Sequence, residues 1–175
     1  MFKTAALTAG LAVLATAGAL HASPLTPERV TALKTAWGEG IVKIGSVHTA
    51  GGDYEAAARE HIETFYAYGV SEVLFKPTLA SEDQFRGSFD EALSYFVGGD
   101  IAEDKGFAIA PYTAVRWENE GTTIVGDVAF SMGNYYFTKT DGSEVKVEYT
   151  FGIRQMENGE LKIVLHHSSV PFVSG

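Results

Sequence analysis

The feature that most constrains the fold is a change of hydrophobic period near Phe107. Before it, apolar residues recur every three or four positions; after it they alternate. Neither half can bury its apolar face alone, so a helical N-terminal half must lie on a C-terminal sheet. Thr26-Pro27-Glu28 combines a hydroxyl cap, a first-position proline and an early acid, which together start a helix. Val30, Leu33, Trp37, Ile41 and Ile44 continue it as one stripe, weakened by Gly38 and Gly40 and stopped by Gly51-Gly52. Asp53 can cap a second helix through Ala58, Ile62 and Phe65 to Gly69. Residues 70–80 have no helical period, and Pro77 denies Lys76 a helical conformation, so an extended piece or ordered loop is expected. Ser81 with Gln84 and Ser88 with Glu91 both have capping-box spacing; the second opens a helix through Ala92, Leu93, Tyr95 and Phe96.

In the second half the pattern predicts strands over 110–117, 122–138, 144–156 and 160–169. The turns between them are Asn119-Glu120-Gly121, Asp141-Gly142 and Asn158-Gly159. Val145, Val147, Tyr149, Phe151 and Ile153 share one face, opposite Lys146, Glu148 and Arg154. The expectation is an α+β domain in which N-terminal helices close a curved antiparallel sheet of about four to five strands into a cone with a pocket inside.

The first 22 residues stand apart. Lys3 precedes an Ala- and Gly-rich apolar run that ends at Leu20-His21-Ala22, the pattern of a secretory signal. Cleavage is expected after Ala22, with Ala19 as the competing site. The domain then runs over 23–175, is periplasmic or secreted, and has no membrane contact after cleavage. The formal charge of −9, one unit more negative without Lys3, makes nucleic acid an unsuitable partner. With no cysteine, disulfides, zinc–thiolate sites and cysteine nucleophiles are excluded together.

The last strand carries the chemistry. Residues 161–172 read LKIVLHHSSVPF, and simple alternation puts Leu161, Ile163, Leu165, His167 and Ser169 on one face and Lys162, Val164, His166 and Ser168 on the other. A greasy strand that ends in an imidazole and a hydroxyl suits the wall of a hydrophobic pocket. The same residues would also serve as caps and turn formers where a strand leaves its sheet.

The helix-then-sheet order resembles the nuclear-transport-factor-2-like (SnoaL-like) fold, a scaffold shared by isomerases, cyclases, dehydratases and association domains. FKPTLA at 75–80, ALSYFVGGD at 92–100, FSMGNYYF at 130–137, VEYTFGI at 147–153 and LHHSSVP at 165–171 resemble the iota-class carbonic anhydrases more narrowly. That resemblance implies reversible hydration of carbon dioxide to bicarbonate, in some members without a metal. It places the bicarbonate-contacting threonine, tyrosine, histidine and serine at Thr78, Tyr95, His167 and Ser169, with His166 and Ser168 beside them. Tyr66, Tyr68 and Tyr112 compete with Tyr95 for the pocket. It also implies a homodimer paired through the outer side of the sheet.

The residue types fit the reaction. Attack on carbon dioxide needs a water to lose a proton, for which a histidine titrating near neutrality suits, and needs donors where negative charge grows, for which hydroxyls suit. A catalytic zinc commonly takes three histidines. The chain outside the signal has His48, His61, His166 and His167, without HxH or HxxxH spacing, and adjacent strand residues point apart. No cofactor is therefore expected, with zinc the alternative. His61 could relay protons at the pocket mouth or be a surface histidine. Lys76 and Arg116 could draw an anion inward or simply be solvated. Two other functions fit the same fold: an isomerase or cyclase using Asp127 as its base, and a non-catalytic association domain with His167 and Ser169 sealed in packing.

Overall fold

The computed structural model describes residues 23–174; residues 1–22, where a secretory signal is expected, lie outside the described residues. Helix α1 (Pro27–Thr49) starts at Thr26, whose hydroxyl accepts the Arg29 N–H at 3.3 Å. Its stripe of Val30, Leu33, Trp37, Ile41 and Ile44 is buried as expected. The two glycines in that stripe have packing reasons. A Cβ on Gly38 would sit 2.9 Å from Val115 Cβ, and one on Gly40 would sit 2.2 Å from His61 Nδ1, so the glycines let the sheet and the next helix approach. Helix α2 (Tyr54–Phe65) is capped by Asp53, which accepts the Ala56 N–H at 2.9 Å. Helix α3 (Phe89–Val97) has the full capping box of Ser88 and Glu91. The Ser81–Gln84 spacing starts no helix. The Ser81 N–H and hydroxyl instead donate to Glu103, each at 2.8 Å.

The sheet has five strands: β1 (Leu74–Lys76), β2 (Ala114–Val125), β3 (Val128–Thr138), β4 (Glu144–Gln155) and β5 (Leu161–Ser169), in the order β1-β5-β4-β3-β2. The expected antiparallel meander is present as β2 to β5, but the sheet is mixed, because β1 runs parallel to β5. Tyr66 also bridges to Ile163, so the chain leaving α2 is drawn onto the same strand. Three residues and one bridge leave no periodicity for a sequence reading to find.

One turn was misplaced. Asn119-Glu120-Gly121 is a bulge inside β2, and the hairpin turn is Gly126-Asp127, between the paired Val125 and Val128. Gly126 has φ +61°, a left-handed conformation that glycine adopts without strain. Asn119, the last residue before the bulge, follows Val115 and Trp117 on the helix-facing side of β2, and its Oδ1 accepts from the buried Lys34 at 2.6 Å; Ser131 and Tyr149 complete that amine's hydrogen bonds. Burial holds the Lys34 pKa down to about 8. The inward set of β4 is as expected: Val147, Tyr149, Phe151 and Ile153 are buried against the helices, and Lys146, Glu148 and Arg154 face out.

Candidate active site

The alternation of β5 changes phase halfway. Gly152 pairs with Leu165 while Ile153 pairs with Ile163, so Val164 is an extra residue without a partner of its own, a β-bulge. Ile163 faces the core before the bulge, and His166 and Ser168 face it after. The expected inward placement of His167 and Ser169 is therefore corrected. His167 is exposed on the opposite face, and Ser169 donates to Glu148 at 2.9 Å there. A signal for this existed: Gly152 interrupts an otherwise alternating strand, and an isolated strand glycine marks a bulge or a close backbone approach. A Cβ on Gly152 would lie 3.0 Å from Leu165 Cβ.

His166 and Ser168 face a cavity of about 70 Å³ enclosed by the helices and the inner face of the sheet. Trp37, Phe75, Phe96, Phe107 and Phe137 form apolar walls. Exposed Leu79 and Val170 also line it, so it opens to the surface at an apolar rim. Thr78, on the loop after β1, and Tyr95, from the middle of α3, reach the same cavity, so these two expected positions converge. Tyr95 is in place because the capping box sets where α3 begins and because Phe75 and Phe107 flank its ring at 5.8 and 5.6 Å.

Tyr135 on β3 joins them. It lies in the FSMGNYYF motif, with no site role expected of it; its hydroxyl bonds Ser168 Oγ and lies 3.4 Å from His166 Nε2. Strand alternation alone cannot show that a buried phenol ends on a neighbouring strand's hydroxyl. Of the competing tyrosines, Tyr112 lines the cavity, Tyr66 bonds His166 Nδ1 at 2.8 Å from behind, and Tyr68 donates to the Arg86 carbonyl at 2.7 Å.

The electrostatics follow from burial. Desolvation pushes His166 well below the ordinary histidine value, helped by His167 and His61, so the ring is neutral at physiological pH. This corrects the expectation of a histidine titrating near neutrality. Desolvation raises the Tyr135 phenol despite bonds from Ser168 and Thr78, and raises Tyr95 despite the Leu79 backbone, so both remain donors. Tyr112 is raised for the same reason. The cavity thus presents neutral hydroxyls and a neutral imidazole, and no carboxylate lines it.

The other candidates fall elsewhere. His61 is neither a surface residue nor at the mouth. It is buried against Trp37, Phe65 and Phe96, with neither ring nitrogen hydrogen-bonded, and burial first, then Lys43, lowers its pKa to about 3. His48 is exposed at the end of α1. Arg116 pairs with Glu118 and Glu144 on the surface. Asp127 sits in the exposed β2–β3 turn, 2.9 Å from Arg154, so the isomerase reading has no base in the cavity. The cavity is also far below the roughly 300–1,000 Å³ of pockets for larger organic ligands. The sealed-packing alternative fails on the cavity itself. Among the described residues no group of three or more histidines, aspartates or glutamates is placed to hold a metal ion.

Residues 28–170 match the family model for metal-independent carbonic anhydrase. The chain is 40% identical over 153 residues to a metal-independent carbonic anhydrase of Nostoc sp., covering 85% of this chain and 75% of that protein. It superposes with TM-score 0.83 and 37% identity on the crystal structure of a cyanobacterial iota-carbonic anhydrase complexed with bicarbonate, covering 86% and 94% of the two chains. An NTF2-like family protein from Streptomyces avermitilis shares the fold at TM-score 0.53 and 14% identity, covering 83% and 96%. The expected fold class and family resemblance therefore hold, and a site without a metal agrees with the family's description. The chain belongs to the metal-independent carbonic anhydrase family.

Proposed function

We propose that the protein catalyses the reversible hydration of carbon dioxide to bicarbonate in the cavity faced by Thr78, Tyr95, Tyr135, His166 and Ser168. One observation carries this: an enclosed apolar chamber whose polar lining consists of neutral hydroxyls and one neutral imidazole. A water needs roughly 10–15 Å³ of such space, so about 70 Å³ accommodates a triatomic substrate with water beside it.

The apolar walls admit a nonpolar gas and strengthen each hydrogen bond by lowering the local dielectric. Hydroxyls of Thr78, Ser168 and Tyr95 supply donors where negative charge grows on the carbon dioxide oxygens. Removing one such donor in other enzymes costs about two to three powers of ten in rate. Tyr135 orients Ser168. No cavity-lining group titrates near neutrality, since the phenols are raised and His166 lowered. The proton of the attacking water is therefore passed to solvent at the mouth rather than stored on a side chain.

The experiment is stopped-flow hydration by the purified domain starting at Ser23, beside an uncatalysed buffer blank. A rate equal to the blank refutes the assignment. The same reading places the protein in the periplasm or outside the cell after cleavage behind Ala22, supported by the sequence of 1–22 and checked by the N-terminal residue of the exported form. It also pairs two copies through the outer sheet face, where Phe130 and Met132 are exposed. Sedimentation of the Met132→Glu protein as a monomer would support that pairing.

A further inference from the structure

The groups behind the cavity form a line of hydrogen bonds whose direction can be worked out. Trp37 Nε1–H is a donor only, and it donates to the Tyr66 oxygen at 3.2 Å. The Tyr66 hydroxyl lies 2.8 Å from His166 Nδ1, and both residues are buried. His166 Nε2 lies 2.9 Å from Ser168 Oγ, which in turn bonds the Tyr135 hydroxyl at the cavity. The Tyr66 proton has His166 Nδ1 as its acceptor within reach. Were Nδ1 to carry the ring proton, the Tyr66 O–H would be a buried donor with no acceptor, a costly state.

We infer that Tyr66, anchored by Trp37, is a positioning residue that fixes the tautomer of His166, with Nδ1 as acceptor and the proton on Nε2. The chain then runs one way: Trp37 to Tyr66, Tyr66 to Nδ1, Nε2–H to Ser168. Ser168, already accepting from the ring, must donate its own proton onward, to the Tyr135 oxygen or directly to a molecule in the cavity. When Tyr135 accepts it, the Tyr135 proton is turned outward instead. Either way the line ends in a hydrogen offered to the cavity, and aligned bonds of this kind strengthen one another. The site is thereby preset for oxygen atoms that bear negative charge. His166 contributes as a donor through Ser168, since its cavity-side nitrogen is already protonated.

For its catalytic consequence the inference rests on the hydration reading above; the tautomer does not. The test is long-range proton–nitrogen correlation NMR on the whole domain labelled with nitrogen-15 histidine, at a pH where His166 is neutral. The expected spectrum shows His166 with unprotonated Nδ1 and protonated Nε2 in the great majority of molecules. A protonated Nδ1, or an even mixture, overturns the inference. In Tyr66→Phe the tautomers should mix and the hydration rate should fall about tenfold or more, whereas an unchanged tautomer would show that Tyr66 does not set it. The wild-type spectrum decides even where that variant is too unstable to purify. An inactive wild type with the expected tautomer would refute the hydration reading and leave this one standing.

Discussion

Gly152 of β4 pairs with Leu165 of β5 at the point where β5 gains its extra residue, and a Cβ on Gly152 would meet Leu165 Cβ at 3.0 Å. That pairing decides which histidine and which serine enter the cavity. A β-branched side chain at 152 has no room beside the bulge. Gly152→Val is expected to cost about 1–3 kcal/mol, the usual range for overpacking, and to lower hydration activity by more than the loss of folded protein explains. Urea unfolding gives the first quantity and rate per folded molecule the second; a stable, fully active variant would refute the role of the bulge.

The two faces of β5 give paired variants that differ by one position. Ser168→Ala and Thr78→Ala should lower the hydration rate by about two to three powers of ten, as for lost donors to a developing oxyanion. Ser169→Ala and His167→Ala should stay within about twofold of wild type, because both side chains face away from the cavity. A reversal of this order would return the site to the opposite face of the strand.

His61 and His166 are buried with depressed pKa values, His61 at about 3. Below about pH 6.5 the unfolded chain binds protons on these rings that the folded protein excludes. Stability is thus full above that pH and falls on acidification toward the folded values. Each ring should contribute a slope of about 1.4 kcal/mol per pH unit in that window. Unfolding measured from pH 7 to 4.5 should show the decline, and His61→Leu should flatten it by one proton. An identical slope in the variant would mean that His61 is not excluded from protonation.

Arg86 is fully buried and reaches Asp104 at 2.7 Å, tying the loop after Thr78 to the segment behind α3. Arg86→Met leaves Asp104 buried and unpaired, which is expected to cost about 3–5 kcal/mol. The double variant Arg86→Met with Asp104→Leu should recover much of that loss. Thermal unfolding of the three proteins measures it, and additive losses would show that the pair is not coupled.

Exhaustive chelation should leave the hydration rate within experimental error, with elemental analysis of the same sample showing less than one metal per chain. Because the proton leaves to solvent, the maximal rate should rise with buffer concentration. A rate abolished by chelator and restored by zinc would contradict the family assignment.

What local sequence determines here is what the chain within a few residues of each position can decide. Thr26, Asp53 and Ser88 cap their helices because a short polar side chain reaches a backbone N–H three residues on. The stripe from Val30 to Ile44 and the face from Val147 to Ile153 are buried because their periods match their elements. The motifs around Thr78, Tyr95 and 165–171 identified the family for the same reason, as contiguous runs. Tertiary structure decided the rest. The parallel pairing of β1, the two bulges and the meeting of Tyr66 with His166 join residues up to 100 positions apart. One unpaired residue, Val164, moves His166 and Ser168 into the cavity and His167 and Ser169 out of it, because a strand's side chains repeat every two residues and a single insertion reverses the face.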